Sequence, residues 1–217
     1  FYKSIYMSNF ILAKTPLRIT FFGGGTDYFD YFKLNGGKTI GVSVNYYSYI
    51  IIKKLSPIDK YKFRITYSKK ELRYNVNEIS HPAFREALKY TKLSNEPLEI
   101  QYFSDLPSFS GMGSSSAFII SLLNALYFYK GIKLTKNEIA KKAIYFERYL
   151  LKEQGGFQDQ LTCAHGGICY FNYSKEKIFK SKIKQKKKIE KFISKNFLLL
   201  YSNISRDGTK VAKKQKK

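Results

Sequence analysis

The chain of 217 residues reads as an α+β domain. Two observations predict this class. Short alternating runs bounded by Gly, Pro and Asn dominate the first third, and helical patterns dominate the middle. A glycine- and serine-rich loop also joins a strand-like run directly to the most apolar helical run of the chain, as expected where helices and a sheet pack in layers. A hydrophobic fraction of 44% supports a packed core. The length allows one large domain or two small ones, and no internal repeat is visible.

The elements follow in order. Residues 11–22 alternate loosely and end in Ile19-Thr20-Phe21-Phe22, a strand. Gly23-Gly24-Gly25-Thr26-Asp27 then leads into an aromatic, helix-like run over 28–34, closed by the turn signal Asn35-Gly36-Gly37. Residues 38–44 and 46–55 read as two strands joined near Asn45, and 61–67 as another after a loop at 57–60. Residues 68–80 are polar and show no period. Pro82 opens a helix to about residue 92, with Phe84, Ala87 and Leu88 on one face. Residues 98–103 form a strand. Residues 117–129 carry no Gly or Pro and are apolar nearly all round, which predicts a buried helix. Thr135-Lys136-Asn137-Glu138 is a capping box opening a helix to about Leu151. Gly155-Gly156 breaks the chain, 158–164 is a short helix ended by Gly166-Gly167, and 168–173 is a strand. The basic stretch 175–191 reads as a solvated helix or loop, 197–201 as a buried strand, and Asp207 as the opening of a last helix.

Charge and cysteine content narrow the partners. The net charge is +23, which taken alone suggests a nucleic acid or a membrane surface. Of 39 basic residues, however, only Arg18, Arg64, Arg73, Arg85, Arg148 and Arg206 are arginines. Base readers and phosphate forks favour Arg. Lys, Ile, Tyr, Phe and Asn, all with AT-rich codons, are abundant, so genome bias is the favoured source and no specific nucleic-acid partner is expected. No apolar run reaches the roughly 18 residues of a membrane span, and no membrane partner is expected. Residues 1–10 lack the order of a signal peptide, and Met7 is a candidate start in a chain that begins at Phe1. Cys163 and Cys169 form neither a disulfide framework nor a metal quartet, which fits a cytoplasmic protein. His81 and His165 have no second ligand at metal spacing and read as structural.

The stretch Pro107-Ser108-Phe109-Ser110-Gly111-Met112-Gly113-Ser114-Ser115-Ser116-Ala117 carries the first chemical signal. Its two glycines permit a tight turn and close backbone approach, and its serines fall on a helix's first turn, where amides lack helical acceptors. Such a terminus suits a phosphate; an ordinary serine-capped helix is the alternative. The Walker pattern fails because no Lys follows Gly113, and the dinucleotide fingerprint fails because Ser116 stands where a third Gly is needed. The stretch resembles the second motif of the GHMP kinases, Pro-x-x-x-Gly-Leu-Gly-Ser-Ser-Ala, with Met112 in the Leu position. Thr15-Pro16-Leu17-Arg18, with Gly23-Gly24-Gly25-Thr26-Asp27 after it, resembles the first motif of that family. Where galactokinases carry a Glu and a His, this chain has Gly24 and Gly25. Glu147, then Gly155-Gly156-Phe157-Gln158-Asp159-Gln160, is similar to the heptose 7-phosphate kinase signature Gly-x-Gln-Asp-Gln. Read from the residues alone, Asp27 and Asp159 suit helix caps equally, and Glu147 suits a surface charge.

The resemblance implies the fold of the GHMP kinase N-terminal domain, ribosomal protein S5 domain 2-like, over residues 13–174. Residues 1–12 would be an extension, and 175–217 a basic linker with the start of a truncated C-terminal domain. The third family motif, Gly-Ala-Gly-Gly-Gly, is absent. The implied activity is ATP- and magnesium-dependent phosphorylation of a sugar phosphate at its anomeric hydroxyl, with D-glycero-D-manno-heptose 7-phosphate the nearest substrate and a fucose-type sugar the alternative. Asp159 would be the base, with Arg18 beside it. Pro107, Gly111, Met112, Gly113, Ser114, Ser115 and Ser116 would hold the nucleotide phosphates. Ser115 and Glu147 would hold magnesium. Gly23, Gly24, Gly25, Thr26, Asp27 and Gln158 would meet the sugar. A different class, a basic RNA-binding module on the same S5-like fold, would need neither the serine loop nor the Glu147–Asp159 pair.

Overall fold

The computed structural model describes residues 3–7, 10–107 and 110–200. β1 (Lys3–Met7) and β2 (Phe10–Phe22) form an antiparallel hairpin, with Lys3 opposite Lys14 and Met7 opposite Phe10. Residues 3–7, expected in an extension outside the domain, therefore belong to the sheet, and β2 starts ahead of the expected boundary at Ala13. α1 (Phe29–Asn35) follows the glycine loop.

β3 (Gly37–Lys54) is the spine of the molecule. The two strands expected here are one, because β2 runs beside β3 from Ile40 to Ile52, on both sides of Asn45. The pairing shifts between Pro16 opposite Tyr47 and Arg18 opposite Ser43. Asn45 thus lies in a bulge rather than a break, and a bulge bends a strand without ending it. β3 then meets different partners along its length. Its first half pairs with β7 (Ile168–Tyr173) and its second half with β6 (Leu98–Ser104), both antiparallel.

Beyond β6, β4 (Phe63–Thr66) runs parallel and pairs with a short strand that shows no periodicity in the sequence, β5 (Lys70–Arg73). A 3-10 turn over Val76–Glu78 follows, capped by Asn75. β8 (Ile178–Lys180) adds to β7.

α2 (Pro82–Tyr90), α3 (Ser114–Tyr129), α4 (Lys136–Tyr145) and α5 (Gln158–His165) cover the sheet. α3 is buried from Ser116 to Leu126, as its all-round apolarity predicts, and packs on β2 and β3 with α2, α4 and α5 around it. The capping box predicted at Thr135 opens α4. α4 ends in a π-helical turn, Phe146–Leu150, which carries Glu147. Within the basic stretch and beyond it lies α6 (Lys186–Asn196). The buried strand expected at 197–201 is not formed over its described part: residues 197–200 have no regular structure, and Leu198 and Leu200 are 82% and 78% exposed. Tyr201 and the helix expected from Asp207 lie outside the described residues.

Candidate active site

Three pieces of chain converge where β2 bulges: the loop before α3, the π turn after α4, and the first turn of α5. Gly111 and Gly113 both take positive φ, 76° and 70°, a conformation open to glycine at little steric cost. Gly113 is the N-cap of α3. The loop is pinned to β2, since the Met112 carbonyl accepts from the Arg18 amide at 3.0 Å and the Met112 side chain is buried. Ser114 is half-buried, while Pro107, Gly111 and Ser115 are exposed. Ser108 and Phe109 lie outside the described residues.

Arg18 ties this loop to α5. Its Nε and one terminal nitrogen donate to the two oxygens of Asp159 at 2.8 and 2.6 Å, and the other terminal nitrogen donates to the Gly111 carbonyl at 2.9 Å. A planar guanidinium matches a carboxylate in this forked geometry, and a lysine does not. The Asp159 side chain is 29% exposed, so a ligand can still reach it.

Glu147 is 2% exposed, which removes the surface-charge reading. The Ser116 hydroxyl donates to its Oε2 at 3.2 Å, the Gln160 amide nitrogen also donates to Oε2, and Arg148 lies 3.6 Å away. Burial pushes the Glu147 carboxyl up to about 8, against the opposing pull of Arg148. Its Oε1 is buried without a hydrogen-bond partner. The serine facing Glu147 is Ser116 rather than the expected Ser115, because one step along a helix turns a side chain by about 100° and carries Ser115 outward. The orphaned oxygen and the Ser116 hydroxyl on its neighbour are hard-oxygen donors, the chemical type that magnesium takes. Among the described residues no group of three His, Cys, Asp or Glu side chains forms a metal site.

The glycine loop divides by position. A side chain at Gly23, whose φ is +90°, would overlap the Lys38 carbonyl. Gly24 is open, and a Cβ there would lie 3.8 Å from the Gln158 side-chain nitrogen, Nε2. The Gly25 amide donates to Asp27 at 3.1 Å. Thr26 and Asp27, expected at the sugar, both hydrogen-bond within the protein. The Thr26 hydroxyl donates to the Gly23 carbonyl at 2.8 Å and accepts from the Lys38 amide at 3.1 Å. Asp27 is 1% exposed and does not cap the helix that follows it; the N-cap of α1 is Tyr28. Burial raises its carboxyl above the usual range, and the Gln158 amide works against that rise.

Two residues of the site carried no role in the sequence. Gln160 was visible only as the end of a motif. Arg148 donates to the carbonyls of Glu153 and Gly156 at 3.2 and 2.7 Å, and its one signal was its place next to Glu147. His81 and His165 pack against aromatic rings outside the site.

Residues 76–167 match the model of the GHMP kinases N-terminal domain. The chain carries a GHMP kinase N-terminal domain. It is 28% identical over 220 residues to a D-glycero-alpha-D-manno-heptose 7-phosphate kinase of Campylobacter jejuni, covering 95% of this chain and 63% of that protein. It is 30% identical over 171 residues to a mevalonate kinase of Saccharolobus solfataricus, covering 73% of this chain and 50% of that protein. Among solved GHMP kinase structures, one titled a D-glycero-D-manno-heptose 1-phosphate kinase from Bacteroides thetaiotaomicron superposes with a TM-score of 0.72 at 24% identity. That match covers 82% of this chain and 61% of the other. The chain thus spans somewhat under two thirds of the heptose kinase relatives it matches.

Proposed function

We propose that the intact protein is an ATP-dependent sugar kinase acting on the anomeric hydroxyl of D-glycero-D-manno-heptose 7-phosphate. The observation that carries this reading is the Arg18 fork, which holds a part-exposed carboxylate, Asp159, against the loop that precedes α3. Phosphoryl transfer needs positioned charges and an oriented nucleophile more than covalent chemistry by the protein. In this reading the amides of the α3 first turn and the serines at 114–116 hold the phosphates, whose negative charge suits a helix N-terminus. Asp159 accepts the proton of the sugar hydroxyl as its oxygen bonds to the γ-phosphorus and the bond to ADP breaks. Arg18 fixes the orientation of Asp159 for that task through both of its carboxylate oxygens. Glu147, with Ser116 beside it and Ser115 at the exposed end of the same turn, would hold magnesium, which when bound neutralises phosphate charge. Gly24 leaves room for a large sugar beside Gln158. The two buried free thiols, Cys163 and Cys169, fit a cytoplasmic enzyme. The choice of sugar is supported by the Campylobacter relative and by the Gln158-Asp159-Gln160 signature.

A substrate panel tests the proposal. The intact protein is assayed with ATP and magnesium against heptose 7-phosphate, fucose, galactose and mevalonate. The expected result is highest kcat/KM on heptose 7-phosphate, with the new phosphate on the anomeric carbon. Preference for fucose would move the assignment to a fucose-type kinase, and turnover of none of the four would reject it.

A further inference from the structure

Asp27 and Asp159 stand 132 positions apart in the chain, yet one organises the ground on which the other stands. α5 begins at Gln158, and its own N-cap, Phe157, provides no side-chain acceptor. The acceptors come from Asp27 instead. The Gln158 amide donates to Asp27 Oδ2 at 2.9 Å, and the Phe157 amide donates to the Asp27 carbonyl at 3.2 Å. The other carboxylate oxygen accepts from the Gly25 amide. With 1% exposure and each oxygen engaged by a backbone amide, this carboxylate is turned into the fold rather than toward solvent.

The chain entering α5 is held from its other side by Arg148. That guanidinium reaches the Glu153 and Gly156 carbonyls, and a Cβ at Gly155 would lie 2.9 Å from one of its nitrogens. Gly156 is the telling position. Its backbone is not left-handed, so conformation alone does not demand glycine. A Cβ there would overlap the Asp27 carboxylate, whose atoms are the three nearest to it. The glycine pair before Phe157 thus makes room for two charged side chains packed against the loop.

We propose that Asp27 is a positioning residue for Asp159, capping α5 from across the fold, with Arg148 as the opposing anchor and Gly156 as the space the cap occupies. The inference deepens the kinase reading and rests on Asp159 being the base. A base misplaced by about 1 Å can lose on the order of a hundredfold in rate.

The test uses Asp27→Ala, Asp27→Asn, Gly156→Ala, the double variant Asp27→Ala/Gly156→Ala, and Asp159→Asn as reference, all in the intact protein. Asp27→Ala is expected to lower kcat by about a hundredfold, with both Michaelis constants within about twofold of wild type. Asp27→Asn keeps one acceptor oxygen and should restore part of that loss. Gly156→Ala should be costly alone and cost nothing further once Asp27 is Ala, because the overlap is gone. A raised Michaelis constant for the sugar at unchanged kcat would make Asp27 a substrate contact and overturn the inference. So would losses that simply multiply in the double variant. Should Asp27→Ala not fold, amide hydrogen exchange on Asp27→Asn decides. Faster exchange at Gln158 and Gly25, the amides that the carboxylate accepts, with β3 unchanged supports the cap, and no change overturns it. Full turnover by Asp159→Asn would instead reject the base, and the same exchange measurement would still judge the cap.

Discussion

Glu71 and Glu147 are both buried carboxylates, and their surroundings give them opposite tasks. Glu71 is 4% exposed, but the Ser80 and His81 amides and the Tyr67 hydroxyl all donate to it, and Arg73 pairs with it at 3.2 Å. Burial alone would raise its carboxyl; the Ser80 amide, Tyr67 and the His81 amide outweigh that and hold it low. Glu147 keeps an orphaned oxygen and is pushed up to about 8. The first is a structural staple for the corner between β5 and α2, and the second is a buried carboxyl with one oxygen left unpartnered. Glu71→Gln is therefore expected to destabilise the protein by about 1.5–3 kcal/mol at neutral pH, the worth of hydrogen bonds to a charged group. A lowered folded value stabilises above the unfolded value of about 4.3 and is lost as pH falls through the folded value. The gap between wild type and Glu71→Gln should close below about pH 4, measured by urea unfolding across pH. An equal gap at pH 3 and pH 7 would contradict this account. At this scale the sequence was partly legible. Motif spacing singled out Arg18, Asp159 and Glu147 together, and the fold seats Arg18 on Asp159 and buries Glu147 against Ser116. The Ser116 contact and the buried roles of Thr26 and Asp27 were not legible, because side-chain direction and long-range caps leave no local pattern.

Strong periodicity made the major elements readable. α3 has no polar face to mistake, and Leu122 within it is fully buried among the core side chains. Leu122→Ala should cost about 2–5 kcal/mol, read as a lower midpoint in denaturant at unchanged slope, while leaving the site's charged groups untouched. A cost under about 0.5 kcal/mol, typical of surface changes, would contradict the placement of α3 at the centre of the core. Elements set by tertiary pairing were harder to see. β5 is four residues long and pairs only with β4, too short to show alternation. Asn45 suggested a break because a bulge and a turn favour similar residues, and only the continuous partner strand β2 reveals which it is. The run from Phe197 looked buried by composition, yet its described residues meet solvent.

Across the whole molecule, one long strand organises the chemistry. β3 carries the helix layer through β2, β6 and β7, and so brings residues near 18, 111, 147 and 159 together. The surplus positive charge takes no visible part in this. Among the described residues, Arg18, Arg64, Arg73, Arg85 and Arg148 each lie against a carboxylate, which leaves the free basic surface to lysines. That distribution fits a charge of compositional origin better than a reader of nucleic acid.

In the proposed reaction Asp159, forked by Arg18, takes the proton of the sugar hydroxyl. Single-turnover transfer from ATP to heptose 7-phosphate, compared between wild type and Asp159→Asn in the intact protein, tests it most directly. Transfer is expected to be at least about a hundredfold slower in Asp159→Asn with ATP affinity preserved, since a general base contributes on that order. Transfer at the wild-type rate would contradict it.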